Sequence, residues 1–147
     1  YDQKVEMIRL ARAEGLYVCS GGILGMGESW EDRLDLAVSL AELEIRSIPL
    51  NVLVPIPGTP LEDLPRLGEE EILRAVACFR YINPWADIRL AAGRALLARG
   101  GEAAFQAGAS AAITGNMLTT AACAAIRSDR RMLQGLGRDV TPGTEEG

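Results

Sequence analysis

Ser47-Ile48-Pro49-Leu50-Asn51-Val52-Leu53-Val54-Pro55 is the stretch that decides the fold. It reads as a strand, apolar at Leu50, Val52, Leu53 and Val54. Pro55-Ile56-Pro57-Gly58-Thr59-Pro60 ends it, because proline donates nothing to a ladder and Gly-Thr-Pro turns the chain. Upstream, Ser29 to Glu44 has a helical pattern. Ser29 can cap it, Asp32 completes a capping-box-like pair, and Leu36, Leu40 and Leu43 fall on one face. Before that, Leu16-Tyr17-Val18-Cys19-Ser20 reads as a short buried strand running into a glycine-rich turn. Asp2 to Glu14 reads as a helix with Val5, Ile8, Leu10 and Ala11 near helical spacing and Gly15 at its end.

Downstream the alternation continues. Glu69 to Tyr81 is helical, acidic in its first turn and apolar at Ile72, Val76 and Phe79. Ile88 to Leu90 begins a third strand, Glu102 to Ala107 is a short helix capped by Gly108, and Ala111 to Thr114 is a fourth strand. Ser128 to Leu136 is a last helix, followed by a loose tail. Strands alternating with helices predict an α/β fold with a parallel sheet and helices outside it. Four strands behind an initial helix are about half of an eight-stranded α/β barrel, which usually takes roughly 250 residues. The pattern opens inside a helix with no strand before it. That favours the C-terminal half of a larger (β/α) barrel over a small open α/β domain.

Composition narrows the function. The 147 residues give room for one domain of ordinary size, and 48% hydrophobic residues permit a real core. The formal net charge of −5 and the lack of a basic run argue against a nucleic-acid partner. Ala103 to Ile126 carries no charge but is too rich in Ala, Gly, Thr and Ser for a membrane span. Three cysteines without paired spacing, Cys19, Cys78 and Cys123, argue against a disulfide framework and for a reducing, cytoplasmic setting. The absence of histidine excludes, for this chain alone, hydrolases that rely on it, and removes the commonest zinc ligand.

In α/β barrels functional groups stand at the C-terminal ends of strands. Four glycines in the seven residues Gly21 to Gly27 would let backbone approach a flat or bulky ligand. Cys19 offers a thiolate to a metal, or is a small buried hydrophobe. Asn51, between Leu50 and Val52, needs hydrogen-bond partners, either on a ligand or on a neighbouring strand. Arg89 within a strand must meet an anion, a carboxylate or a metal cluster unless it lies at the surface. Gly115-Asn116-Met117-Leu118-Thr119-Thr120 brings two hydroxyls that suit a small polar group or local backbone bonds.

Taken in order, these segments resemble one family. Val18-Cys19-Ser20-Gly21-Gly22-Ile23-Leu24-Gly25-Met26-Gly27-Glu28, then Asn51-Val52-Leu53 with Gly58-Thr59-Pro60-Leu61, then Ile88-Arg89-Leu90-Ala91-Ala92-Gly93-Arg94, then Gly115 to Thr120, are similar to the ordered motifs of biotin synthases. These are radical S-adenosylmethionine (SAM) enzymes that insert sulfur into dethiobiotin. The resemblance runs to about Gly137. It divides the chain into a radical-SAM barrel segment (1–47), a biotin and thiamin synthesis associated domain completing the barrel (48–137) and a tail (138–147). Within Gly21 to Glu28, Gly-x-Ile-x-Gly-x-x-Glu also resembles the radical-SAM motif that supports the adenine.

The resemblance implies roles residue by residue. Cys19 and Arg89 would be ligands of an auxiliary [2Fe–2S] cluster. Asn51, Thr119 and Thr120 would lie at dethiobiotin. Ile23 and the backbone of Val54 would lie by the adenosyl group, and Lys4 near the SAM carboxylate. It further implies a [4Fe–4S] cluster that reduces SAM, a flavodoxin- or ferredoxin-type electron donor, and a homodimer. Departures from the family are plain. The Cys-x₃-Cys-x₂-Cys motif for the radical-generating cluster and two further auxiliary-cluster cysteines are absent from this chain, Cys78 and Cys123 do not replace them, and Ala91 stands where some members have serine. Activity is therefore expected of a longer protein. Two other readings are a related radical-SAM enzyme, such as a hydrogenase maturase or an amino-acid mutase, and a non-catalytic α/β binding domain that is complete as it stands and binds no iron.

Overall fold

The computed structural model describes residues 1–114 and 126–140. In chain order the elements are α1 (Asp2–Ala13), β1 (Gly22–Leu24), α2 (Trp30–Glu42), β2 (Ser47–Val52), α3 (Glu69–Ile82), β3 (Asp87–Leu90), α4 (Glu102–Ala107), β4 (Ala111–Ala112) and α5 (Ile126–Gly135). A short 3-10 turn, Arg94–Leu96, and a kinked segment, Ala98–Gly101, with left-handed backbone at Arg99 and Gly100, lie between β3 and α4. The four strands form one parallel sheet in the order β1-β2-β3-β4.

Strand alternation divides β2 into two faces. Ile48, Leu50 and Val52 are buried, whereas Pro49 and Asn51 are half-buried. Ile48 and Leu50 sit opposite Ile88 and Leu90 of β3. These residues join Ala37 and Leu40 of α2, Ile72, Val76 and Phe79 of α3, and Ala104 and Phe105 of α4 in a single apolar core. All three crossover helices therefore cover the same face of the sheet. Val5 and Ile8 of α1, and Met132 and Leu133 of α5, pack at the margin of that core. β2 runs across position 48, so the segments on either side of it share one sheet and one core.

Local chemistry explains most boundaries. Ser29 accepts from the Asp32 N–H at 3.1 Å and the Asp32 carboxylate accepts from the Ser29 N–H at 2.8 Å, a complete capping box at the start of α2. Hydrogen bonds from the hydroxyl and N–H of Ser29 hold the Asp32 carboxyl below its usual pKa. At the end of α3, Arg80 donates to the carbonyls of Gly108, Asn83, Pro84 and Ala86, and so ties α3 to β3 and α4.

The first strand is not where the apolar run predicts it. Leu16 and Tyr17 are exposed, and Cys19 makes a single isolated bridge to Ser47. The strand itself is Gly22–Leu24, inside the segment expected to be a turn. The reason lies in the neighbours. A side chain on Gly21 would run into the carbonyl of Pro49, and one on Gly22 would meet Leu36. The glycines are thus extended backbone pressed against β2 and α2. A second close approach lies at Gly93, where a side chain would strike the carbonyl of Val52. β4 is also shorter than expected, ending at Ala112.

Candidate functional site

The face of the sheet turned away from the helices carries four of the residues singled out in the sequence, Cys19, Ile23, Asn51 and Arg89. Parallel register aligns Cys19 with Ser47, Ile23 with Asn51, and Pro49 with both Arg89 and Ala111. Residues in register point to the same side of a sheet, and residues two apart on a strand do so as well. Cys19, Ile23, Asn51 and Arg89 therefore share one face, opposite Ile48, Leu50 and Leu90. Two strand spacings of ~4.8 Å and two residue steps of ~3.3 Å put the Cα atoms of Cys19 and Arg89 ~12 Å apart.

Each side chain there has a definite environment. Cys19 is exposed, and the Ser47 hydroxyl donates to its Sγ at 3.3 Å. Cys19 precedes β1, so it stands at the N-terminal end of the strand rather than the C-terminal end. Arg89 is half-buried and forms no hydrogen bond or ion pair among the described residues. Asn51 donates from Nδ2 to the Gly22 carbonyl at 3.2 Å and accepts at Oδ1 from the Ala92 N–H at 3.1 Å. It thus ties β1 to the end of β3, and keeps one amide hydrogen and one lone pair free of these bonds. Ile23 is 49% exposed. Val54 is half-buried, two residues past the end of β2. Lys4 is exposed on α1, whose Val5 and Ile8 pack toward the helix-side core, and the structure does not bring it to this face. Thr119, Thr120 and Cys123 lie outside the described residues.

The C-terminal rim of the sheet is held by charged groups. After β1 the chain turns back so that the Glu28 carboxylate accepts from the N–H groups of Gly25 at 2.8 Å and Met26 at 2.7 Å. Arg33 donates to the same carboxylate at 2.7 Å and to Glu71 at 2.8 Å. Burial pushes the Glu28 carboxyl up, but these hydrogen bonds outweigh it and hold its pKa below the ordinary value. Across the rim, the Ala98 N–H donates to Glu69 at 3.0 Å. Arg94 forms a two-pronged ion pair with Asp129 at 2.8 and 2.7 Å, and donates to the Gly100 carbonyl as well. Sequence reasoning named Arg94 only within a motif, and Arg33 and Asp129 not at all. A signal for Arg33 existed: it lies at helical spacing from Ala37 and Leu40, in the apolar phase of α2, where a charge has to be paired. Among the described residues no three His, Cys, Asp or Glu side chains gather to hold a metal ion. No described helix is long and apolar enough to cross a membrane.

The chain is 59% identical over 137 residues to a biotin synthase of Alkaliphilus metalliredigens, covering 93% of this chain and 43% of that protein. It is 57% identical over 140 residues to a biotin synthase of Clostridium beijerinckii, covering 95% of this chain and 44% of that protein. To one of Akkermansia muciniphila it is 51% identical over 140 residues, with 95% and 43% covered. The chain thus spans less than half the length of these relatives, and the likeness is to their C-terminal part. Residues 49–139 match the family described as the Biotin and Thiamin Synthesis associated domain, and on that match the chain belongs to this family.

Proposed function

We propose that the chain is the C-terminal part of a biotin synthase, acting in SAM-dependent sulfur insertion that converts dethiobiotin to biotin. The observation that carries the reading is the common face of Cys19, Ile23, Asn51 and Arg89. A parallel sheet normally has both faces covered, and here the crossover helices cover one. Strands added in sequential order, with the crossover helices all on one side, are the arrangement of an arc of an α/β barrel. Closing the arc would turn the face of Cys19 and Arg89 inward, into a space shielded from water.

The donors on that face suit an iron–sulfur group. Cys19 supplies a thiol sulfur within reach of solvent, with the Ser47 hydroxyl bonded to it, and hydrogen bonds to sulfur tune such sites. Arg89 is free of any ion pair among the described residues, so its charge is available to a sulfide-rich anion. These two residues would hold the [2Fe–2S] group, with the remaining ligands and those of the [4Fe–4S] group supplied from outside this chain. When bound, the two groups supply a bridging sulfide for insertion and an electron for the cleavage of SAM. The spare hydrogen and lone pair of the Asn51 amide match the carbonyl and N–H of the dethiobiotin ureido ring. Ile23 and the Val54 backbone would lie by the adenosyl group, and Thr119 and Thr120 by the substrate. The protein's work is orientation and exclusion of water. A cytoplasmic setting, a flavodoxin- or ferredoxin-type donor and a second copy of the protein complete the proposal.

The test is anaerobic reconstitution of the full-length protein carrying this chain, with iron and sulfide, in wild-type and Cys19→Ala forms. Two cluster types in the wild type, with the [2Fe–2S] signal lost in the variant, are expected. One cluster type untouched by the substitution would remove the proposal.

A further inference from the structure

Arg33 is the most buried charged side chain at the C-terminal rim, with 4% exposure. Such a guanidinium is tolerated only when its donors are met, and here they are met on two different elements. Nε donates to Glu28 in the loop after β1, and Nη1 donates to Glu71 in the first turn of α3. The guanidinium also lies over the Trp30 ring, 4.8 Å from its centroid. A staple between two helices would need Glu71 alone. The second donor is instead committed to a carboxylate whose other bonds go to the backbone of the loop, among them the N–H groups of Gly25 and Met26.

That loop leaves β1 directly after Ile23 and Leu24. Ile23 and Met26 are each about half exposed, at 49% and 47%. The loop thus presents apolar side chains to solvent while its backbone is locked from behind. A binding rim that is already ordered need not be ordered by its ligand, and affinity rises accordingly.

We propose that Arg33 is a positioning residue for the adenosyl group of SAM: anchored by Glu71 and Trp30, it fixes Glu28, and Glu28 fixes the Gly25–Met26 loop on which that group rests. The inference depends on the reading that this rim takes SAM. Arg33 touches no reacting atom. It transmits the placement of α3 to the end of β1. Lysine at this position keeps the charge but cannot bridge two carboxylates with a planar fork.

The experiment is calorimetric binding of S-adenosylhomocysteine and of dethiobiotin to the full-length protein carrying this chain, reconstituted anaerobically. Arg33→Lys is expected to weaken S-adenosylhomocysteine about tenfold, and Glu71→Gln about threefold, the size of one or part of one charge-assisted hydrogen bond. Dethiobiotin affinity should change by less than about twofold and the cluster absorption should not change, a split that general loosening of the fold would not give. Variants that bind S-adenosylhomocysteine as the wild type does, whatever happens to thermal stability, overturn the positioning role alone. A wild type that binds no S-adenosylhomocysteine overturns the SAM reading itself and this inference with it. Should Arg33→Lys not fold, Glu71→Gln decides the matter in the same way, because the Glu71 side chain is 39% exposed and lies at the helix surface.

Discussion

The two faces of the sheet are made by the same strands and obey opposite rules. On one face Ile48, Leu50, Ile88 and Leu90 are buried against three helices. On the other, one residue along each strand, stand Pro49, Asn51 and Arg89, half-buried and polar or charged in two cases of three. A half-solvated antiparallel sheet would show the same alternation without comment. In a parallel sheet, whose strands are ordinarily apolar on both sides, it marks the second face as one made for something other than packing. The covered face holds the fold, and the open face is where we place the proposed chemistry.

Substitutions along β2 and β3 should separate the two roles. Ile48→Ala, on the covered face, deletes a fully buried side chain and should cost about 2–5 kcal/mol in denaturant unfolding. A loss under about 1 kcal/mol would mean that the core is looser than the structure has it. The rim belongs to neither face, and Glu28→Gln examines it. The change removes a carboxylate bonded to two backbone N–H groups and to Arg33, and should cost about 1–3 kcal/mol at neutral pH. The folded pKa of Glu28 is depressed, so its contribution is complete above the unfolded value of 4.5 and is lost as pH falls through the lower native pKa. The difference between wild type and Glu28→Gln should therefore shrink below about pH 4.5. A difference that stays constant with pH would show the carboxylate charge to be irrelevant. Arg89→Ala, on the open face, should have the smallest effect on stability, within about 0.5 kcal/mol, because it breaks no bond among the described residues. A large loss there would make Arg89 a structural residue and erase the contrast between the faces.

Much of this was legible in the sequence. The alternation of elements, the capping box of Ser29 and Asp32, and the apolar phase of α3 all follow from local rules, and local rules held. What failed at β1 failed for a physical reason. Leu16 to Ser20 has the side chains of a strand, but pairing is made by backbone, and β2 takes as its partner the glycines that fit beneath Leu36 and against Pro49. β1 itself is only Gly22-Ile23-Leu24, entered through Gly21, and two apolar residues behind two glycines are too short a run to show a strand period. At the site, Cys19, Asn51 and Arg89 could be named from residue type and resemblance. Their common face could not, since it depends on a register that only tertiary pairing sets. Arg33 was hidden in the opposite way, as a charge where the helix period asks for an apolar residue.

Gly21 and Gly93 stand on either side of β2, each against one of its carbonyls, Pro49 on one flank and Val52 on the other. At both places the nearest obstacle is main chain, which no choice of rotamer can move aside. A side chain at either position, however small, would force the main chain of β2 to move. β2 is thus gripped from both flanks through two places where a side chain has no room, a constraint of space rather than of attraction.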